Sequence, residues 1–124
     1  MATDGLVVHR EQRRHTDCVL AALREVRRAT VQELYRSLRG AGDPISLSTV
    51  YREVHRLVAV GRVREVVLPG EAVYLLPGDD LFVCDQCGRI EEVPLRRLAV
   101  IQDADFFAQA EALTVHGRCA DCDR

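Results

Sequence analysis

The sequence predicts an α+β chain in two parts: an N-terminal winged helix-turn-helix unit and a small C-terminal α/β unit closed by four cysteines. Three observations carry this. Three amphipathic helical patterns are followed by two short apolar runs before residue 77. Beyond residue 80, strand-like runs enclose one further helical pattern. Cys84, Cys87, Cys119 and Cys122 form two C-x2-C pairs separated by 31 residues. The boundaries that follow are 1–76 for the first domain, 77–80 for a hinge and 81–124 for the second domain.

The first helix is expected from Val8 to about Arg27, where Val19, Leu20, Leu23 and Val26 recur at helical spacing on an arginine-rich segment. Thr30 is a suitable N-cap for a second helix, with Val31, Leu34, Tyr35 and Leu38 on one face and Gly40 as its stop. Pro44 and Ser46 announce a third, whose apolar stripe is Leu47, Val50, Val54, Leu57 and Val58, ending at Gly61. Its other face carries Ser48, Thr49, Tyr51, Arg52, His55 and Arg56. RVREVVL and AVYLL, on either side of Pro69-Gly70-Glu71, read as a β-hairpin wing. After the hinge, LFVC and RIEEV are short strands, a helix runs from Pro94 or Leu95 to Asp105, and ALTVH is a last strand.

At 124 residues and 48% hydrophobic content, the chain can bury two cores, each about half the usual domain size. Cores of that size commonly need a staple. No apolar run approaches the roughly 18 to 20 residues that span a bilayer, and the N-terminus lacks a signal-peptide core, so a soluble, cytoplasmic protein without a membrane partner is expected. The net charge of −2 conceals an asymmetry: residues 1–68 carry 12 basic and 8 acidic side chains (net +4), and residues 69–124 carry 5 and 11 (net −6). A basic first half suits phosphate binding, which depends on a local face and not on the total.

A short helix, a turn and a second helix opening with hydroxyl residues and followed by arginine suit a recognition helix in the major groove of double-stranded DNA. Ser48, Thr49, Tyr51 and Arg52 are the candidate contacts there, with Arg13 and Arg14 available to phosphates. The plainer alternative is an amphipathic helix with a solvated polar face.

The two C-x2-C pairs place four thiolates within reach of one tetrahedral Zn²⁺, and Gly88 suits the tight turn of the first knuckle. Four thiolates leave no position for water or substrate, so one structural zinc per chain is expected. Disulfides, a redox pair or free thiols are the alternatives. Cys18, beside Val19, reads as a small buried hydrophobe before it reads as a redox switch. His116 reads as a strand residue, and His9, His15 and His55 as surface residues. No nucleophile, base and acid stand in a sensible context and no phosphate-binding glycine loop is present, so neither an enzyme nor a small-molecule substrate is expected.

Ser48-Thr49-Val50-Tyr51-Arg52 followed by Leu57 and Gly61, Glu33-Leu34-Tyr35, Val83-Cys84-x-x-Cys87-Gly88 and Gly117-x-Cys119-x-x-Cys122 together resemble the signature of the ferric uptake regulator (Fur) family along nearly the whole chain. The resemblance implies a winged-helix domain, a hinge, a dimerisation domain and repression of palindromic, A/T-rich operators by a homodimer. It also implies a regulatory metal ion between the domains, held largely by histidines before the first knuckle. Here that segment reads Pro77-Gly78-Asp79-Asp80-Leu81-Phe82, with no histidine. Arg28, Ala99 and Glu111 fall where other ligands are implied. An arginine repels a divalent cation, so the usual regulatory site is expected to be missing; Asp79, Asp80 and Glu111 are left as a weak all-oxygen site. The second functional reading is a partner that no longer binds DNA and dimerises with a metal-sensing paralogue.

Overall fold

A computed structural model describes residues 2–78, 80–92 and 113–124, with side chains from Gln12 onward. The element order is α1 (Ala2–Val26), β1 (Arg28–Ala29), α2 (Val31–Gly40), α3 (Leu47–Ala59), β2 (Arg64–Leu68), β3 (Glu71–Leu75), β4 (Leu81–Cys84), β5 (Ile90–Glu92) and β6 (Thr114–Gly117). The chain forms two compact units, one of residues 1–67 and 71–76, the other of residues 68–70 and 77–124. The helix expected from Pro94 or Leu95 to Asp105 lies outside the described residues.

In the first unit, α1 starts earlier than the periodicity suggested, at Ala2. It stops where Arg27 adopts φ 65° and its N–H reaches back to the Leu23 carbonyl at 3.0 Å. This is a left-handed C-terminal cap held by a side chain that does not favour it. Thr30 and Glu33 form a reciprocal capping box at the start of α2, each side chain accepting the other's backbone N–H at 3.1 Å. Gly40 is still helical, and the left-handed residue that ends the turn is Gly42.

Val19, Leu20 and Leu23 of α1, Leu34 and Leu38 of α2 and Val50, Val54 and Leu57 of α3 meet in one core with Ile45, Val63 and Tyr74. Burying a large aliphatic side chain of this kind contributes about 1.5 to 3 kcal/mol. Two stripe residues depart from expectation. Val26 and Leu47 are 43% and 42% exposed, because each sits at the end of its helix, beyond the neighbouring helices. The two-residue strand β1 was not anticipated. It pairs antiparallel with β3, Ala29 opposite Tyr74, and widens the expected hairpin to a sheet of order β1-β3-β2.

In the second unit β4 is central, antiparallel to β5 and parallel to β6, in the order β5-β4-β6. Leu81, Val83 and Ile90 are buried on it. The parallel register sets Cys84 opposite Gly117, so the chain leaves β4 and β6 at the same end of the sheet. That end is where both cysteine pairs lie.

Candidate nucleic-acid interface and metal centre

The recognition-type helix α3 is built from its cap outward. Ser46 accepts the Thr49 backbone N–H at 3.2 Å, and its hydroxyl also meets those of Thr49 (2.8 Å) and Ser48 (3.2 Å). Ser48, Tyr51 and Arg52 are exposed and Thr49 is half-buried. Tyr51 is 54% exposed, unusual for a large aromatic ring. The face therefore offers a hydroxyl, a phenol and a guanidinium to solvent, opposite the buried Val50, Val54 and Leu57. Arg13 is exposed on α1. Arg14 is half-exposed but lies 3.6 Å from the Asp43 carboxylate, so part of its charge is already answered.

A buried polar knot was missed from the sequence. Glu53, only 6% exposed, receives two hydrogen bonds from Arg56, Nη2 to Oε1 at 2.6 Å and Nε to Oε2 at 3.3 Å. The Thr16 hydroxyl donates to Glu53 Oε1 at 2.5 Å and accepts from Arg56 Nη2 at 2.9 Å. Burial opposes ionisation of Glu53, but the Arg56 and Thr16 hydrogen bonds and the Arg56 charge outweigh it and hold the carboxyl below its ordinary pKa. The knot joins α1 to α3 and turns the Arg56 guanidinium toward Glu53, although Arg56 lies on the polar face of α3 by spacing. The signal was available: Glu53 lies three residues after Val50 and four before Leu57, and Thr16 three before Val19, so both fall on apolar faces.

His55 is not the plain surface residue expected. Its ring lies 4.3 Å from the Tyr51 ring and 6.0 Å from that of Tyr74, and its Nε2 is buried without a hydrogen-bond partner. Cys18 is half-buried against the core, and the Asp43 carboxylate raises the pKa of its thiol. A thiol held protonated in this way is a poor nucleophile.

The four other cysteines come together as one cluster, their sulfurs all within 4.8 Å of one another. The Cys87 and Cys119 sulfurs are 3.7 Å apart. Ligands about 2.3 Å from a tetrahedral zinc stand about 3.8 Å from each other, so the spacing fits that ion. Local backbone geometry makes each knuckle. Gly88, at φ 81°, donates its N–H to the Cys84 carbonyl at 2.9 Å, and the Cys122 N–H reaches the Cys119 carbonyl at 3.1 Å.

The electrostatics ask for a cation. Backbone N–H donors, first that of Cys119, at 3.3 Å from the Cys84 sulfur, lower the Cys84 pKa, whereas the neighbouring Cys119 sulfur and burial raise that of Cys122. Four adjacent sulfurs do not all ionise unaided; a bound dication removes the conflict.

His116 lies in β6, and its Nδ1–H donates to Asp85 Oδ1 at 2.7 Å, outside the sulfur cluster. Of the three candidates for an oxygen site, Asp79 and Glu111 lie outside the described residues. Asp80 is 5% exposed, and its Oδ1 accepts the Leu113 N–H at 2.7 Å, an anchor between the approaches to β4 and β6. Gly78 is exposed in the connecting segment, Leu81 is buried at the start of β4, and Arg28 is exposed in β1. No helix among the described residues is long and apolar enough to cross a membrane.

The comparisons agree with this geometry. A family model described as "Ferric uptake regulator family" matches residues 9–122. The ferric uptake regulation protein of Legionella pneumophila is 32% identical over 102 residues, 75% of each chain. The peroxide stress regulator of Campylobacter jejuni has the same fold, with a TM-score of 0.73 at 22% identity over 98% of this chain and 99% of that one. A zinc uptake regulator solved with zinc and DNA superposes with a TM-score of 0.53 at 23% identity, covering 99% of this chain and 96% of that one. With the family model matching nearly the whole sequence and a relative at 32% identity, the chain belongs to the ferric uptake regulator family, whose members are transcription regulators and not enzymes.

Proposed function

We propose that this chain is a sequence-specific DNA-binding repressor that acts in the cytoplasm as a homodimer on palindromic operators. In this reading residues 1–76 bind DNA, 77–80 form the hinge and 81–124 dimerise. The observation that carries it is the exposed face of α3, where Ser48, Tyr51 and Arg52 stand out from a helix that buries Val50, Val54 and Leu57 on its opposite side. Ser48, Thr49, Tyr51 and Arg52 would face base edges and phosphates in the major groove, and Arg13 and Arg14 would add phosphate contacts. A zinc uptake regulator of the same fold, solved with zinc and DNA, supports DNA binding by this chain.

Cys84, Cys87, Cys119 and Cys122 would hold one structural zinc per chain, tying the C-terminal knuckle to β4. We further infer that the usual inter-domain regulatory ion is missing. Gly78, Leu81 and Arg28 supply no metal donor, and Asp80 uses one carboxylate oxygen on the Leu113 backbone. Footprinting on the protein's own promoter tests both parts. Protection is expected without added Fe²⁺, Zn²⁺, Ni²⁺ or Mn²⁺, and Arg52→Ala is expected to abolish it while leaving the fold intact. Unchanged protection with Arg52→Ala sinks the recognition-helix assignment. A strict requirement for added metal sinks the loss of the sensor site.

A further inference from the structure

Tyr51 presents a paradox for a recognition residue: it is more than half exposed, yet one side of its ring is already occupied. The occupant is His55, one helical turn further along α3, with ring centroids 4.3 Å apart and planes at 41°. Behind His55 stands Tyr74 of β3, edge-on at 6.0 Å and 70°. Tyr74 is itself fixed. It is 3% exposed, and its hydroxyl donates to Glu65 Oε2 of β2 at 2.9 Å. Burial and that carboxylate push the Tyr74 pKa up to about 12, so the hydroxyl keeps its proton and the bond. The four side chains form a continuous line from the wing to the exposed face of the recognition helix.

Resting on the DNA-binding reading, we propose that His55 is a positioning residue that fixes the Tyr51 ring for DNA recognition and ties it to the wing. Its chemistry supports a role for the ring and not for Nε2 as a hydrogen-bonding group. Nε2 is buried with no partner, which costs stability that an apolar side chain would not. What the imidazole supplies is a ring tilted against Tyr51 on one side and in T-shaped contact with Tyr74 on the other. A half-exposed tyrosine otherwise samples several rotamers, and ordering it on binding would weaken the complex. With the stack in place, that ordering is complete before DNA arrives.

The test uses the full chain at one fixed salt concentration, a duplex from its own promoter and a scrambled duplex of equal composition. His55→Ala is expected to weaken promoter binding roughly 2- to 12-fold, the worth of an aromatic pair, with scrambled-duplex binding unchanged. His55→Phe, which keeps a ring and removes the unpartnered nitrogen, is expected to restore it. His55→Leu, without a ring, is expected to fail, so the Phe–Leu comparison stands even if the alanine variant does not fold. In a Tyr51→Ala background, His55→Ala is expected to add no further loss. Additive losses, a phenylalanine variant no better than leucine, or full promoter binding by folded His55→Ala beside an inactive Arg52→Ala would overturn the positioning role and leave DNA binding intact. A wild-type protein unable to tell the promoter from the scrambled duplex would overturn both.

Discussion

In the N-terminal unit, side chains from three helices and two strands converge on one apolar core, with Leu23, Leu34, Ile45, Val50, Val54 and Leu57 all buried to within 2%. Among the described residues of the C-terminal unit, the buried set is smaller: Leu81, Val83, Ile90, Asp80 and the sulfurs of Cys84 and Cys119. The first unit is held by area removed from water, a non-directional force that tolerates modest substitutions. The cysteine end of the second rests on four donors converging on one point, which is directional and fails when one is lost. The polar knot of Thr16, Glu53 and Arg56 is an intermediate case, a directional device set inside an apolar interface.

The largest effect that would sharpen this contrast is loss of one sulfur. Cys84→Ser is expected to remove most of a metal contribution of order 10 kcal/mol. Zinc content should fall, and amide protection of β4 and β6 should disappear while that of α2 and α3 persists. Intact β4 protection in a metal-free variant would break the comparison.

Next comes the knot. Glu53→Ala leaves Arg56 without its carboxylate, while the Thr16 hydroxyl keeps the Gln12 carbonyl at 2.9 Å, and a loss of about 1 to 3 kcal/mol at pH 7 is expected by chemical denaturation. The figure lies below that for a fully buried pair because the Arg56 side chain is 38% exposed. Glu53 has its pKa lowered by folding, so its contribution is present above the ordinary value of 4.5 and fades as pH falls through the folded-state value. The gap between wild type and Glu53→Gln should therefore hold steady from pH 8 to about 5 and close in more acid solution. A gap that showed no narrowing as the pH fell below 4.5 would assign the effect to packing instead.

The smallest effect concerns a local backbone. Arg27→Gly relieves a left-handed residue at φ 65° and is expected to stabilise the N-terminal unit by up to about 1 kcal/mol, read as a small rise in its unfolding midpoint. A fall would mean that the Arg27 side chain contributes more than its backbone costs.

Much of the site was legible because its signals are local. The Ser46 cap, the apolar period of α3 and the two C-x2-C pairs each need only a few neighbouring residues to be read. Other features were not. β1 has two residues, too few for any periodicity, and exists only because β3 offers it an edge. Leu47 belongs to the stripe by spacing, but it is the first residue of α3 and the helix enters the core only at Val50. His55 has no partner at a paired spacing and so reads as a surface residue, but the Tyr74 ring from β3 lies 6.0 Å from its own.

By itself the sequence determined the order of elements, the four sulfur donors and the polar face of α3, since helical spacing, capping chemistry and ligand type are properties of short segments. Tertiary structure alone decided which of those residues act together. The parallel pairing of β4 with β6 brings Cys84 and Cys87 to Cys119 and Cys122, and the packing of α1 on α3 turns Arg56 inward to Glu53 while Arg52 stays exposed. Partners remote in sequence become neighbours only when strands and helices bury their apolar faces against one another, and no local pattern encodes that choice.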